Sequence, residues 1–154
     1  MINNFYKKGI TIVEVLTVLA IIAILSLIVF PSFNAMKQQN VLKSSVSDVF
    51  SSLDKARSET LASISSSEYG VHFQSDKVII FKGKVFSAID PNNETISITP
   101  PVTISFSLGG ASDLYYNRLT GAPSANGTIT LSVTGNGSLT KIITISATGA
   151  VSQN

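Results

Sequence analysis

Between Ile10 and Phe30 the chain carries 21 residues, of which 17 are apolar and one, Glu14, is charged. At 1.5 Å per residue, a helix of that length covers about 31 Å, the hydrocarbon thickness of a bilayer. The run is therefore long enough to span a membrane. A cleaved secretory signal would have a shorter apolar core of about 7 to 15 residues and a small-residue cleavage site behind it, and no such site follows Phe30. Lys7 and Lys8 flank the run on its N-terminal side with no acid beside them. By the positive-inside rule they stay in the cytoplasm, and everything after Phe30 is expected outside. With the run set aside, the rest of the 154 residues has an ordinary globular composition and is of a size for one domain.

Glu14 is the anomaly in this run. A carboxylate facing lipid at a helix centre costs about 2.5–3.5 kcal/mol on insertion scales, and no other side chain between Ile10 and Phe30 can ionise. Its partner must come from another chain or from a newly made amino terminus. Alternatively, Glu14 lies near enough to the cytoplasmic interface to reach water.

Lys7, Lys8, Gly9, Ile10, Thr11, Ile12, Val13 and Glu14, followed by an apolar stretch ending at Pro31, resemble the class III signal of type IV prepilins and type II secretion pseudopilins. The resemblance implies a leader of residues 1–9, removed by prepilin peptidase between Gly9 and Ile10, with methylation of the new amino group. Ile10 stands where this family more often has Phe. The resemblance also implies an assembly role for Glu14 and a helix kink at Pro31. The partners implied are other pilin or pseudopilin subunits in a homo- or hetero-filament, the peptidase, and an inner-membrane assembly platform. The residues fit this chemistry. Gly9 offers no side chain to obstruct a protease holding the backbone extended. Cleavage would create an ammonium at Ile10 able to face Glu14 of a neighbouring subunit, a pair that sets register more than it adds net stability.

After Pro31, which removes a helical hydrogen bond, Leu42, Val46, Val49, Leu53, Ala56, Thr60 and Ile64 recur at steps of four and three. That spacing predicts one apolar helix face. From Tyr69 the period falls to two, with Gly, Pro, Asn and Asp between short runs, which predicts antiparallel strands. Expected strands are Tyr69 to Gln74 and Val78 to Lys82 as a hairpin, Thr95 to Ile98 and Val102 to Leu108 around Pro100 and Pro101, Leu114 to Tyr116, and Gly127 to Val133 joined to Leu139 to Ala147 through Gly135, Asn136 and Gly137. The expected fold is α+β, a long N-terminal helix on an antiparallel β-sheet domain. Its expected parts are a leader (1–9), a transmembrane and filament-core helix (10–30), an amphipathic helix (31–65) and a β domain (66–154). Ala56, Arg57, Ser58 and Glu59, then Gly70 to Phe73, and a late strand pair ending in Thr148, Gly149, Ala150 and Val151 are similar to the layout of the pseudopilin H and FimT type of subunit.

No enzyme chemistry is expected. The chain has no cysteine and one histidine, His72, with no second His and no Ser–acid pairing in the sequence that would make a triad. Asp90, Asn92 and Glu94 alternate oxygen ligands but lack the glycine of a calcium loop, so no metal or other cofactor is expected. The net charge of +2 comes from Lys7 and Lys8; without them nine bases face nine acids, which counts against nucleic-acid binding by charge. After Thr140 the sole base is Lys141, where DNA-binding FimT-like pilins have a basic tail. The sequence thus points to a non-enzymatic subunit of a type IV pilus or type II secretion pseudopilus, a minor pseudopilin, located in the inner membrane before assembly. The alternatives are a permanently membrane-anchored extracytoplasmic binding module and a DNA-uptake minor pilin.

Overall fold

The computed structural model describes residues 9–154, with the side chains of residues 28–32 outside the described set. The chain divides into two compact units between Lys37 and Gln38. Helix α1, Ile12–Leu61, contributes to both and is helical through Pro31.

In the second unit the expected stripe forms one wall of the core. Leu42, Val46, Val49, Leu53, Ala56 and Thr60 are all buried, and neighbouring α1 positions such as Lys43, Asp54 and Lys55 face solvent. The stripe stops at Thr60. Ile64 is exposed and lies in a single 3-10 turn, Ile64–Ser66, because Ser63, Ser65 and Ser66 take left-handed backbone angles that a helix cannot continue through. Thr60 makes the turn into the sheet: its hydroxyl donates to the Ala56 carbonyl at 2.8 Å and accepts from the Tyr69 N–H at 2.9 Å.

Eight strands follow: β1 (Tyr69–Phe73), β2 (Lys77–Lys82), β3 (Glu94–Ser97), β4 (Val102–Ser107), β5 (Asp113–Tyr115), β6 (Gly127–Val133), β7 (Asn136–Ile145) and β8 (Val151–Gln153). They make two four-stranded antiparallel sheets rather than the one expected, in the orders β3-β2-β1-β5 and β4-β6-β7-β8. The expected first hairpin is present, with Phe73 opposite Val78 and the Gln74 N–H bonded to the Lys77 carbonyl at 3.0 Å. Its turn also ties the sheets together, since the Ser75 carbonyl accepts from Ile104 of β4 at 2.9 Å, while the Asp76 carbonyl accepts from Ile98 at 2.8 Å and extends the β2–β3 pairing. The prolines between β3 and β4 stand at the corner where the chain changes sheet. Val71, Phe73, Val78 and Ile80 of the first sheet share one core with Ile104, Ile129, Leu131, Ile143 and Ile145 of the second and with the α1 stripe.

Two differences from the expected strands concern turns. The β6–β7 hairpin closes Val133 on Asn136 around Thr134 and Gly135, and a bulge at Ser132 and Val133 takes Gly137 into the strand. Gly135 has φ 82°, so it supplies the left-handed residue of that turn. The end of the chain returns as β8 after a turn in which Ser146 and Ala150 pair backbone and side chain. That turn is stitched to the helix by Arg57, whose Nε donates to the Gly121 carbonyl at 3.1 Å and whose Nη2 donates to the Thr148 carbonyl at 3.3 Å.

Candidate functional site

The sequence places the candidate functional residues at the head of α1. Lys7 and Lys8 lie outside the described residues, as does the side chain of Pro31. Gly9 and Ile10 precede the helix and are exposed. A Cβ added at Gly9 would meet nothing within 4 Å, and its backbone does not occupy the left-handed region. Among the described residues, neither packing nor backbone conformation demands glycine there. Gly70 is the opposite case, because a Cβ would come within 2.5 Å of the Phe81 ring and 2.6 Å of the Leu114 carbonyl oxygen.

Thr11 and Glu14 form a local unit that the sequence reading missed. The Glu14 N–H donates to Thr11 Oγ1 at 3.2 Å, and the Val15 N–H donates to the Thr11 carbonyl at 3.3 Å. Thr11 is therefore the N-cap of α1, and Glu14 is the third helical residue. Thr-x-x-Glu just before an apolar run is the capping-box spacing, the sequence signal that would have shown it. A carboxylate in the first turn is also favoured by the positive end of the helix dipole.

Further along, the polar side chains of the apolar run are satisfied within the helix. Thr17 Oγ1 donates to the Val13 and Glu14 carbonyls at 3.1 and 2.9 Å, and Ser26 Oγ donates to the Ile22 carbonyl at 2.8 Å. The large apolar residues between Ile12 and Leu27 are 46–78% exposed. They occupy every side of the helix, so no single face could be hidden by packing on one neighbour. Such a surface requires cover from outside the chain. Among the described residues no helix is long and apolar enough to cross a membrane; the expected span to Phe30 runs into residues whose side chains lie outside the described set.

The remaining candidates resolve into structural roles. His72 does have an acid partner, contrary to the sequence reading: its Nδ1 pairs with Asp113 Oδ1, a cross-strand neighbour on β5. Ser112 Oγ donates to the same carboxylate oxygen at 3.1 Å. The order is wrong for nucleophilic catalysis, because serine meets the acid instead of the imidazole. His72 Nε2 faces the Gln74 amide at 3.1 Å, and its ring stacks on Phe86 at 3.9 Å. Asp90 accepts from the Asn92 backbone and side-chain amides at 2.9 and 2.8 Å, which holds its carboxyl below the usual range. Glu94 instead pairs with Lys55 of α1, so the alternating acids do not converge. Among the described residues no group of three His, Cys, Asp or Glu could hold a metal ion.

Comparison with known proteins agrees with this arrangement. Residues 4–30 match the family model described as the prokaryotic N-terminal methylation motif. The fold is similar to the type IV minor pilin FimU of Pseudomonas aeruginosa, with TM-score 0.60 and 16% identity over 77% of this chain and 92% of that one. It is also similar to the minor pseudopilin EpsH of the Vibrio cholerae type 2 secretion system, with TM-score 0.55 and 14% identity over 73% of this chain and 94% of that one. No curated protein sequence matches the chain. The chain thus carries a prokaryotic N-terminal methylation motif at the head of a helix-and-sheet fold similar to those of a minor pilin and a minor pseudopilin.

Proposed function

We propose that the chain is a minor subunit of a type IV pilus or type II secretion pseudopilus, made as a precursor and cut by prepilin peptidase between Gly9 and Ile10. Before assembly, the apolar run holds it in the inner membrane with the sheet domain outside the cytoplasm. An assembly platform then moves it into the filament, where neighbouring subunits replace lipid around the run. Glu14 meets the amino terminus of a neighbour, and Pro31 allows α1 to bend.

The observation that carries this reading is the pairing of two features the folded chain does not need for itself. Gly9 has no conformational or packing requirement, and the helix after it exposes apolar side chains on all sides. Both make sense if other molecules read the segment, first a protease and then filament neighbours. The test is intact-mass spectrometry of the protein from cells with an active prepilin peptidase. Wild type should begin at Ile10, and Gly9→Val should retain Met1. A wild-type protein still beginning at Met1 would overturn the proposal.

A further inference from the structure

The second sheet ends at β8, and the hydrogen bonds around it fix which way its backbone points. The Ser146 N–H donates to the Ala150 carbonyl at 3.0 Å, and Ile142 and Asn154 exchange bonds at 3.0 and 3.4 Å. In an antiparallel ladder, alternate residues turn their N–H and C=O groups to opposite sides. Ala150, Ser152 and Asn154 therefore face β7, and Val151 and Gln153 direct theirs away from it.

Beside this outer edge lies a groove of about 630 Å³, bounded by Lys43, Val46, Ser47 and Phe50 of α1, by Lys141 of β7 and by β8. Lys141 shares one face of β7 with Leu139, Ile143 and Ile145, which all pack against the core, but it is itself exposed, at the rim of that face. No carboxylate side chain is among the groove's lining residues, and no ion pair among the described residues includes Lys43 or Lys141. A short strand with nearby lysines is also a device for preventing edge pairing. A blunted edge, however, needs no open apolar space next to it, and here Val46, Phe50 and Val151 border such a space.

We propose that this groove receives an extended segment of another polypeptide, added to β8 as a fifth strand of the second sheet. Its backbone would pair with the outward groups of Val151 and Gln153. Alternate side chains of a strand share one face, so the pattern that fits is acid, any, apolar, any, acid: an apolar side chain over Val46 and Phe50, with carboxylates at Lys43 and Lys141. The backbone supplies affinity and the alternate side chains supply choice of partner. The surface lies within residues 43–153 and does not depend on processing at Gly9.

The test uses the full chain in detergent micelles and a fluorescent, end-capped peptide Thr-Glu-Thr-Val-Thr-Glu-Thr, with binding read by anisotropy. Lys43→Glu and Lys141→Glu should each weaken binding roughly tenfold, as expected when an attractive charge contact is reversed, and each should favour the same peptide with lysine in place of glutamate. A second measurement requires no protein variant. Methylating the peptide amides of one alternate set should abolish binding, whereas methylating the other set should leave it unchanged, because only one set faces β8. Equal effects of the two methylated sets would overturn strand addition, as would charge-reversal variants that bind like wild type. Displacement of the peptide by an equal charge concentration of duplex oligonucleotide would make this a general anion surface and refute the proposal. Self-association of the chain that Lys43→Glu abolishes would assign the groove to a second copy and refute it as well.

Discussion

Thr11 and Glu14 allow the two duties of a carboxylate at the head of α1 to be separated. As a cap, the pair is local: Thr11→Val removes the 3.2 Å bond to the Glu14 N–H and should cost about 1 kcal/mol of helix stability, close to a fivefold effect at about 1.4 kcal/mol per tenfold. Glu14→Gln keeps the side-chain length and an acceptor oxygen but removes the charge. If the charge serves only the helix dipole, its loss is worth about 0.3–1 kcal/mol. If it pairs with the amino terminus of a neighbour inside a filament, removing it strands a buried ammonium at about 3–5 kcal/mol, more than a hundredfold in assembly. The assay is the ratio of the protein in sheared filaments to that in membranes, with intact mass used to check that both variants begin at Ile10. Glu14→Gln should be abundant in membranes and nearly absent from filaments, and Thr11→Val should fall less than tenfold. Equal losses for the two variants, or normal incorporation of Glu14→Gln, would refute the pairing and leave Glu14 as a capping residue.

A fragment of residues 38–154 should fold as a soluble domain, since the described core begins at Leu42; one starting at Tyr69 loses Leu42, Val46, Val49, Leu53 and Ala56 from that core and should aggregate, as sedimentation would show. In the longer fragment Leu53→Ala should reduce unfolding free energy by about 2–5 kcal/mol in urea titrations, because Leu53 is fully buried. The Glu94 carboxylate holds the Lys55 ammonium above its ordinary 10.5, first through the hydrogen bond between them. A raised folded value adds stability that is fully present below 10.5 and lost as the pH rises through it. Glu94→Gln should therefore flatten the alkaline limb of the stability profile while costing no more than about 1 kcal/mol at neutral pH, the pair being solvent-screened.

The parts of the fold legible in the sequence are those fixed by local periodicity. Leu42 to Thr60 recur every three or four residues, and one buried face is the sole arrangement that hides them together. Tyr69 to Lys82 alternate around Ser75 and Asp76, and the hairpin forms there. What was not legible depends on residues far apart in the chain. The two sheets meet where the Ser75 carbonyl accepts from the Ile104 N–H, a contact that no window along the sequence contains. β8 was missed because three residues are too few to show a period, and its pairing depends on the return at Ser146 and Ala150. His72 looked isolated because its acid, Asp113, is 41 positions away and becomes its neighbour only through β1–β5 register.

The N-terminal segment reverses this relation between sequence and structure. Gly70 and Gly127 are explained by the fold, because a Cβ at either would strike a neighbour: the Phe81 ring at one and the Ser107 carbonyl at the other. Gly9 has no such neighbour among the described residues, and on the proposed function its identity answers to the protease. The same holds for the apolar run, whose exposed side chains contribute nothing to the described core, which begins at Leu42. A segment retained at this cost in exposed apolar surface must recover it in another environment, and a helix apolar on every side can do so only where lipid or like helices surround it. On the proposed function, filament assembly would provide both environments in sequence. On the same reading, the Glu14 carboxylate, costly in lipid though favoured at the head of α1 by the helix dipole, is the residue whose charge would separate a subunit that enters a filament from one that stays in the membrane.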